Sequence, residues 1–383
     1  MWERVKLADV SDSCLGKMLD QRKNKGIYKP YLANVNVRWG AFDLDNLQEM
    51  KFEDDEDERY GIKYGDLIIC EGGEPGRCAI WKEQLPNMKI QKALHRLRVN
   101  EEMDYRYVYY WFLLAGKQGA LKQYYTGATI MHMPGQKLKE VVIDKPPLDV
   151  QRKIGDYLEA FDDLIENNQK QIKLLEEAAQ RLYKEWFVDL RFPGYEDVEI
   201  VDGVPEGWEI TPINMVANLK AGGDKPKTFS EKMTNENKIP VFANGITGKG
   251  LMGFTDKAVI NNPSVTISAR GTVGVVFLRT EPYVPIVRLI SVTPIEDKVD
   301  ILYLYLYLIN QNFRSTGAAQ QQITVPLLKS KNIICPTDDV RKSFNDVITS
   351  IFNKIDILEK HINKLTEARD RLLPKLMNGE IEV

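Results

Sequence analysis

Two stretches of the chain place apolar residues in alternating steps of four and three. The first runs through Ile154, Leu158, Phe161, Ile165, Asn168, Ile172, Leu175, Ala179, Leu182 and Trp186. The second runs through Phe344, Ile348, Ile351, Ile355, Leu358, Ile362, Leu365, Arg369, Leu372 and Leu376. This is the heptad seam of a coiled coil, and it predicts two long helices over 150–187 and 339–377. One chain carrying two matched seams can pair them internally, and an antiparallel pair sets whatever precedes each helix at opposite ends of a rod. At about 1.5 Å per residue that rod is roughly 50 Å long. Asn168, polar within the first seam, is expected to fix register at some cost in stability. Pro374 is expected to end or kink the second helix.

The two seams belong to a longer repeat. Gly127-Ala128 recurs 190 residues later as Gly317-Ala318, and the same shift carries Leu138 to Leu328, Pro146 to Pro336 and Arg181-Leu182 to Arg371-Leu372. Further upstream Ile69-Cys70-Glu71-Gly72-Gly73-Glu74-Pro75-Gly76 answers Ile267-Ser268-Ala269-Arg270-Gly271-Thr272-Val273-Gly274, now 198 residues apart, so intervening loops differ in length. Around the helices, short apolar runs at 66–70, 258–260, 264–268 and 274–277 alternate with Gly, Pro and Asn turns, which predicts strands. Stretches 105–115 and 301–310 read as helical. The expected fold class is therefore α+β, two globular domains separated by two antiparallel coiled-coil helices with a pseudo-twofold internal repeat. The expected boundaries are a first domain over 1–149, a first spacer helix over 150–187 and a linker over 188–207. A second domain over 208–338, a second spacer helix over 339–377 and a tail over 378–383 follow.

Composition narrows the chemistry. With 52 Lys+Arg against 55 Asp+Glu in 383 residues, the chain is not a polycation that holds nucleic acid by charge alone. No apolar run reaches membrane-spanning length and no signal-peptide pattern opens the chain, so a cytoplasmic location is expected. The four cysteines, Cys14, Cys70, Cys78 and Cys335, lack CxxC spacing and are expected to be ordinary buried thiols, with no metal knuckle. Gly248-Lys249-Gly250-Leu251-Met252-Gly253 fits GxGxxG but has no helix after it, and three scattered histidines offer no metal-ligand or triad spacing. Asn261-Asn262-Pro263-Ser264 lacks the second proline and the aromatic ring of an amino-methyltransferase loop. No catalytic residue is assigned.

Two variable globular units, each followed by a near-copy of one heptad helix, resemble the specificity subunit of type I restriction–modification systems. The stretches that carry the resemblance are Val204-Pro205-Glu206-Gly207-Trp208, Ile239-Pro240-Val241-Phe242-Ala243-Asn244-Gly245, Arg270-Gly271-Thr272-Val273-Gly274 and Thr316-Gly317-Ala318-Ala319-Gln320-Gln321-Gln322-Ile323-Thr324. The first unit departs from this pattern, with Glu71-Gly72-Gly73-Glu74-Pro75-Gly76-Arg77 where the second has the Arg270 loop.

The resemblance implies that each globular domain is a target recognition domain reading one half of a split, asymmetric site on double-stranded DNA. It further implies that the helices set the spacing and dock two methyltransferase subunits. The chain itself would be non-catalytic and hold no cofactor or metal. S-adenosylmethionine, ATP and Mg are expected on the partner methyltransferase and restriction/translocase subunits. Half-sites read from one face lie about 34–36 Å apart, within reach of such a rod. A coiled-coil protein–protein adaptor and the specificity subunit of a related fused restriction enzyme share the layout.

Base edges are read by forked or bidentate side chains, and phosphates by cations and hydroxyls. In the first unit those residue types fall at Arg22, Lys23, Lys25, Tyr28, Asn34, Asn36, Arg38, Trp39, Arg77, Thr129 and His132. In the second they fall at Lys225, Lys227, Asn244, Thr247, Lys249, Ser268, Arg270, Thr272, Gln320, Gln321 and Gln322. The triple glutamine is the strongest candidate for base readout. The acidic run over 53–58 is expected to be a solvated loop facing away from phosphate.

Overall fold

A computed structural model describes residues 2–20, 24–313 and 322–383. The chain divides into two compact units, one of residues 1–168 with 360–383 and the other of residues 169–359. Each repeats one plan. In the first unit a four-stranded antiparallel sheet has the order Ser11–Leu15, Leu94–Val99, Leu67–Cys70, Cys78–Ile80. In the second the order is Ala217–Ala221, Leu289–Pro294, Ser264–Ser268, Val276–Arg279. The third strand of each is buried along its whole length, which is why Leu67–Cys70 reads as a continuous apolar run with no alternation.

A smaller mixed sheet lies beside each. It joins the hairpin Ile27–Leu32/Gln48–Phe52 to Lys89–Ile90 in parallel, and the hairpin Ile239–Phe242/Leu251–Thr255 to Val284–Pro285 in parallel. A helix packs on each large sheet, Tyr105–Gln118 and Ile301–Ile309. The first starts where the Asp104 carboxylate accepts from the backbone N–H of Arg106 and Tyr107, and it stops at Gly119 with φ 71°.

The seams form helices of 40 residues each, Leu148–Phe187 and Asp338–Met377. In the first unit Ile154 and Leu158 share a core with Leu373, Leu376 and Met377, and Arg369 donates to Asp162. In the second, Ala179, Tyr183 and Trp186 share a core with Phe344 and Ile348. In both, early turns of one helix meet late turns of the other, so the pairing is antiparallel. Ile154, Leu158, Ile348, Ile355 and Leu358 are buried, and Phe161, Ile165, Ile172, Leu175, Leu182, Ile351, Ile362, Leu365 and Leu372 half-buried. Near the end of the second helix burial passes from Leu372 to Leu373, the drift expected of a helix with 3.6 rather than 3.5 residues per turn.

Four expectations change. Pro374 neither ends the helix nor precedes its end directly, since the helix runs one turn further to Met377. The 188–207 stretch is folded, with Phe192 and Val204 buried beside Trp208 in the second unit's core and Ile200–Val201 paired to Val204–Pro205. The 258–260 run is not a strand but a single bridge from Ile260 to Tyr283. The acidic run is solvated at Glu53, Asp54, Asp55 and Glu58 but is not a plain loop. It forms the short helical turns Asp54–Glu56 and Asp57–Tyr60, because Glu56 meets buried Lys17 at 2.5 Å and Asp57 meets Lys29 at 2.8 Å and buried Lys89 at 3.0 Å. Cys70 and Cys78 are buried free thiols, and Cys14 and Cys335 half-buried ones.

Candidate nucleic-acid interface

The small-sheet hairpin of each unit ends in a tip, residues 33–47 in the first and 243–250 in the second. Beside each tip lies a loop with the same main-chain bonding in both units. Cys70 N–H donates to Arg77 O (2.8 Å), Gly76 N–H to Cys70 O (2.9 Å) and Arg77 N–H to Glu74 O (3.1 Å). In the second unit Ser268 N–H donates to Val275 O (2.9 Å), Gly274 N–H to Ser268 O (3.0 Å) and Val275 N–H to Thr272 O (3.2 Å). Gly76 and Gly274 take φ of 89° and 81°, a conformation that favours glycine and explains their recurrence in the sequence.

A third segment is tied to the same loop by Met133 N–H to Glu71 O (2.7 Å) and by Ile323 N–H to Ala269 O (2.9 Å). An asparagine links tip to loop in each unit. Asn34 Nδ2 donates to Gly72 O and Asn244 Nδ2 to Arg270 O, both at 2.8 Å. Three loops therefore converge at one end of each unit.

Side chains differ where the frame agrees. In the first unit Asn34 Oδ1 accepts from Arg77 Nη2 at 3.1 Å, and the Glu74 carboxylate accepts from Trp39 Nε1 at 2.7 Å and Arg77 Nη1 at 3.3 Å. Arg38 is exposed, its guanidinium donating to Val35 O at 2.5 Å. Thr129 and His132 sit on the exposed 126–132 loop, closed by paired main-chain bonds between Thr126 and His132. Beneath this loop the buried His95 ring nitrogen lies 3.1 Å from Met133 O. Burial holds the His95 imidazole below its ordinary pKa, against the opposing pull of the Glu71 carboxylate and the Met133 carbonyl.

In the second unit Thr272 Oγ1 donates to Asn244 O at 2.5 Å. Thr247, Arg270 and Gln322 are exposed, Gln322 standing where the first unit has His132. Lys249, also exposed, donates to Glu359 Oε1 at 2.7 Å.

Not every expected residue joins these clusters. Asn36 is corrected to a structural role: it is buried, with Oδ1 accepting from Ala33 N–H at 2.9 Å and Nδ2 donating to Asp43 O at 3.0 Å. Ser268 is corrected likewise, because its strand is buried on both faces and the residue is only 1% exposed. Lys25 and Tyr28 lie at the opposite end of the hairpin from Asn34, beside the acidic turns, and Lys51 covers the Tyr28 ring at 5.3 Å. Lys225 and Lys227 are exposed before the base of the second hairpin, with Lys225 Nζ 3.5 Å from the Phe229 ring centre. Arg22, Lys23, Gln320 and Gln321 lie outside the described residues.

Two residues escaped the sequence reading. Glu74 is signalled only by its place in the loop where the first unit departs from the pattern. Arg279 gives no signal beyond an arginine ending a strand. It is 4% exposed, donates from Nε to Thr266 Oγ1 at 3.0 Å and from Nη2 to Lys249 O at 2.7 Å, and lies 3.6 Å from the Phe242 ring centre. Among the described residues no three His, Cys, Asp or Glu side chains are grouped to hold a metal ion.

A family model described as the type I restriction modification DNA specificity domain matches residues 1–177 and again 205–367. The chain belongs to this family. Its two matched segments each contain one tip, one main-chain-bonded loop and most of one long helix. A type I restriction enzyme specificity subunit of Methanocaldococcus jannaschii, MjaIX, is 29% identical over 344 residues, covering 83% of this chain and 78% of the relative. The HindI specificity subunit of Haemophilus influenzae is 26% identical over 315 residues, covering 62% and 68%. The crystal structure of the S subunit of a type I restriction–modification system from M. genitalium shares the fold, with TM-score 0.59, 18% identity and 98% and 96% coverage. No helix among the described residues is long and apolar enough to cross a membrane.

Proposed function

We propose that this type I specificity chain is a non-catalytic DNA-reading subunit, each unit recognising one half of a bipartite, asymmetric duplex site. The observation that carries the reading is the repeated cluster of three loops, whose main-chain bonds agree between units while the presented side chains do not. Asn, Arg and Gln amides and guanidinia there suit base edges, and Lys249 suits phosphate. The paired helices would set half-site spacing and dock two methyltransferase subunits, with restriction/translocase subunits joining that complex in the cytoplasm. S-adenosylmethionine, ATP and Mg would act on those partners. The Asn, Arg, Gln and Lys side chains described at the loops have a chemistry that suits recognition.

The test is to co-express the chain with the methyltransferase subunit and map modified adenines across a genome. A two-part motif is expected, with binding of the complex to duplex DNA falling steeply as salt rises. Duplex affinity insensitive to salt, with no modification motif, would favour the protein–protein adaptor instead.

A further inference from the structure

The loop 269–275 and its flanking strands correspond to 71–77 and theirs at a shift of 198 residues, and the strand register preserves this. Ile69 faces Cys78, and Ile267 faces Val276. Continuing along the outer strand, Trp81 and Arg279 occupy the same place. Both are buried, and both approach an aromatic ring of the small-sheet hairpin: Trp81 meets Phe42 edge-on at 5.2 Å, and Arg279 lies 3.6 Å from the centre of Phe242. One pillar under the tip is apolar, the other cationic.

The cationic pillar touches the second tip at both ends. Phe242 is the residue before the tip opens, and Lys249 O, which accepts from Arg279 Nη2, belongs to the turn that closes it. That turn is demanding: Gly248, Lys249 and Gly250 have φ of 59°, 53° and 80°, and Lys249 is a side-chain-bearing residue in a left-handed conformation. The carbonyl of such a residue points where an ordinary turn would not place it, and the guanidinium fork supplies its donor. Among the described residues Arg279 has no carboxylate partner, bonding instead to the Thr266 hydroxyl and the Lys249 carbonyl. Burial draws its pKa down to about 10, so it is still a cation at neutral pH. A cation held this deep without a counter-charge is costly and is not explained by packing, which Trp81 achieves in the first unit.

Building on the reading of the tips as DNA-recognition loops, we propose that Arg279 is a positioning residue: it sets the shape of the 243–250 tip, and through it the base preference of the second half-site, without touching DNA.

The test compares wild type, Arg279→Lys and Arg279→Met, each as full chain with the methyltransferase subunit, in a binding selection on a randomised duplex library. Both variants are expected to relax preference about tenfold at one or more positions of the second half-site, the scale of one lost bidentate contact. The first half-site should be unchanged. The salt slope should also be unchanged, because a buried residue releases no counterion, whereas Lys249→Ala should reduce it by about one. Lower active fraction with both half-sites still read normally would overturn the proposal, since a merely structural role gives that result. If neither Arg279 variant accumulates folded, Thr266→Val removes the Nε acceptor and carries the same comparison with a smaller shift. A wild-type selection with no two-part motif would instead sink the DNA-reading function itself.

Discussion

Across the central ladder of the first unit His95 faces Ile69, and in the parallel pair of its small sheet Lys89 faces Tyr31. The second unit has Ile290 facing Ile267 and Val284 facing Val241 at the corresponding places. At these two places the first unit buries ionisable groups where the second buries hydrocarbon, the reverse of Trp81 and Arg279, yet strand order is the same in both. Topology is set by main-chain pairing and by which face is covered. Side-chain polarity is free to change as long as each buried charge is matched, by a carboxylate as Lys17 is by Glu56 and Lys89 by Asp57, or by neutral oxygens as Arg279 is by Thr266 and Lys249. Burial would raise the Asp57 pKa, but hydrogen bonds from Lys29 and Lys89 outweigh it and hold the carboxyl below its ordinary value.

The largest test of this equivalence is at the helices. Ile154 and Phe344 are the same position 190 residues apart, each in its own unit's core. Phe344→Ala should cost about 3–5 kcal/mol and Ile154→Ala about 2–5 kcal/mol. Hydrogen exchange followed peptide by peptide should show loss of protection centred on the unit that carries the change. Equal loss in both units for either variant would break the comparison.

Next in size is the exchange of ionic for apolar packing. Asp57→Ala leaves Lys89 buried beside a lost partner and should destabilise by about 1–3 kcal/mol. Adding Lys89→Val, the second unit's solution, should recover part of that loss in a urea titration. A double variant less stable than Asp57→Ala would show that the lysine contributes more than a charge in search of a partner.

The equivalence of His132 and Gln322 predicts separable effects on reading. His132→Ala should relax only the first half-site and Gln322→Ala only the second, by about 1–3 kcal/mol of discrimination if each contacts a base edge. A binding selection resolves the two. The stretch just before Gln322 lies outside the described residues, but the ties from Met133 to Glu71 and from Ile323 to Ala269 place its anchor.

The mildest effect is with acid. His95 is held neutral in the folded first unit, while the unfolded chain protonates it near pH 6.5. The unfolded state therefore binds the proton first, and stability is lost as pH falls from about 6.5 toward the lower folded value. The second unit, residues 169–359, contains no histidine. Hydrogen exchange between about pH 7 and 5 should weaken the first unit selectively, and His95→Ile should flatten that response. Asp57 adds a second loss only as pH drops below about 4, where its unfolded carboxyl protonates.

The helices and the repeat were legible because heptad spacing and a constant 190-residue shift are local, additive signals. The loop at 71–77 was legible for the same reason, its Gly73 and Gly76 being demanded by a left-handed backbone conformation. What escaped is long-range. The inward pairing of Glu56 and Asp57 within the acidic run escaped because Lys17, Lys29 and Lys89 arrive from elsewhere in the sequence. Ser268 looked like a hydrogen-bonding reader because a hydroxyl in a strand gives no hint that both faces are covered. The segment at 188–207 resembled a tether since its prolines and glycines outnumber the few aromatics that anchor it. Arg279 carried no signal because its function is defined by what folds over it.

Each reading loop is stitched by amide and carbonyl groups that every amino acid but proline possesses, with glycine required at few places. Inheritance can therefore rewrite the letters displayed there while the stitching stays intact. A lineage under pressure to change which sequences it marks has a route that does not pass through a broken protein.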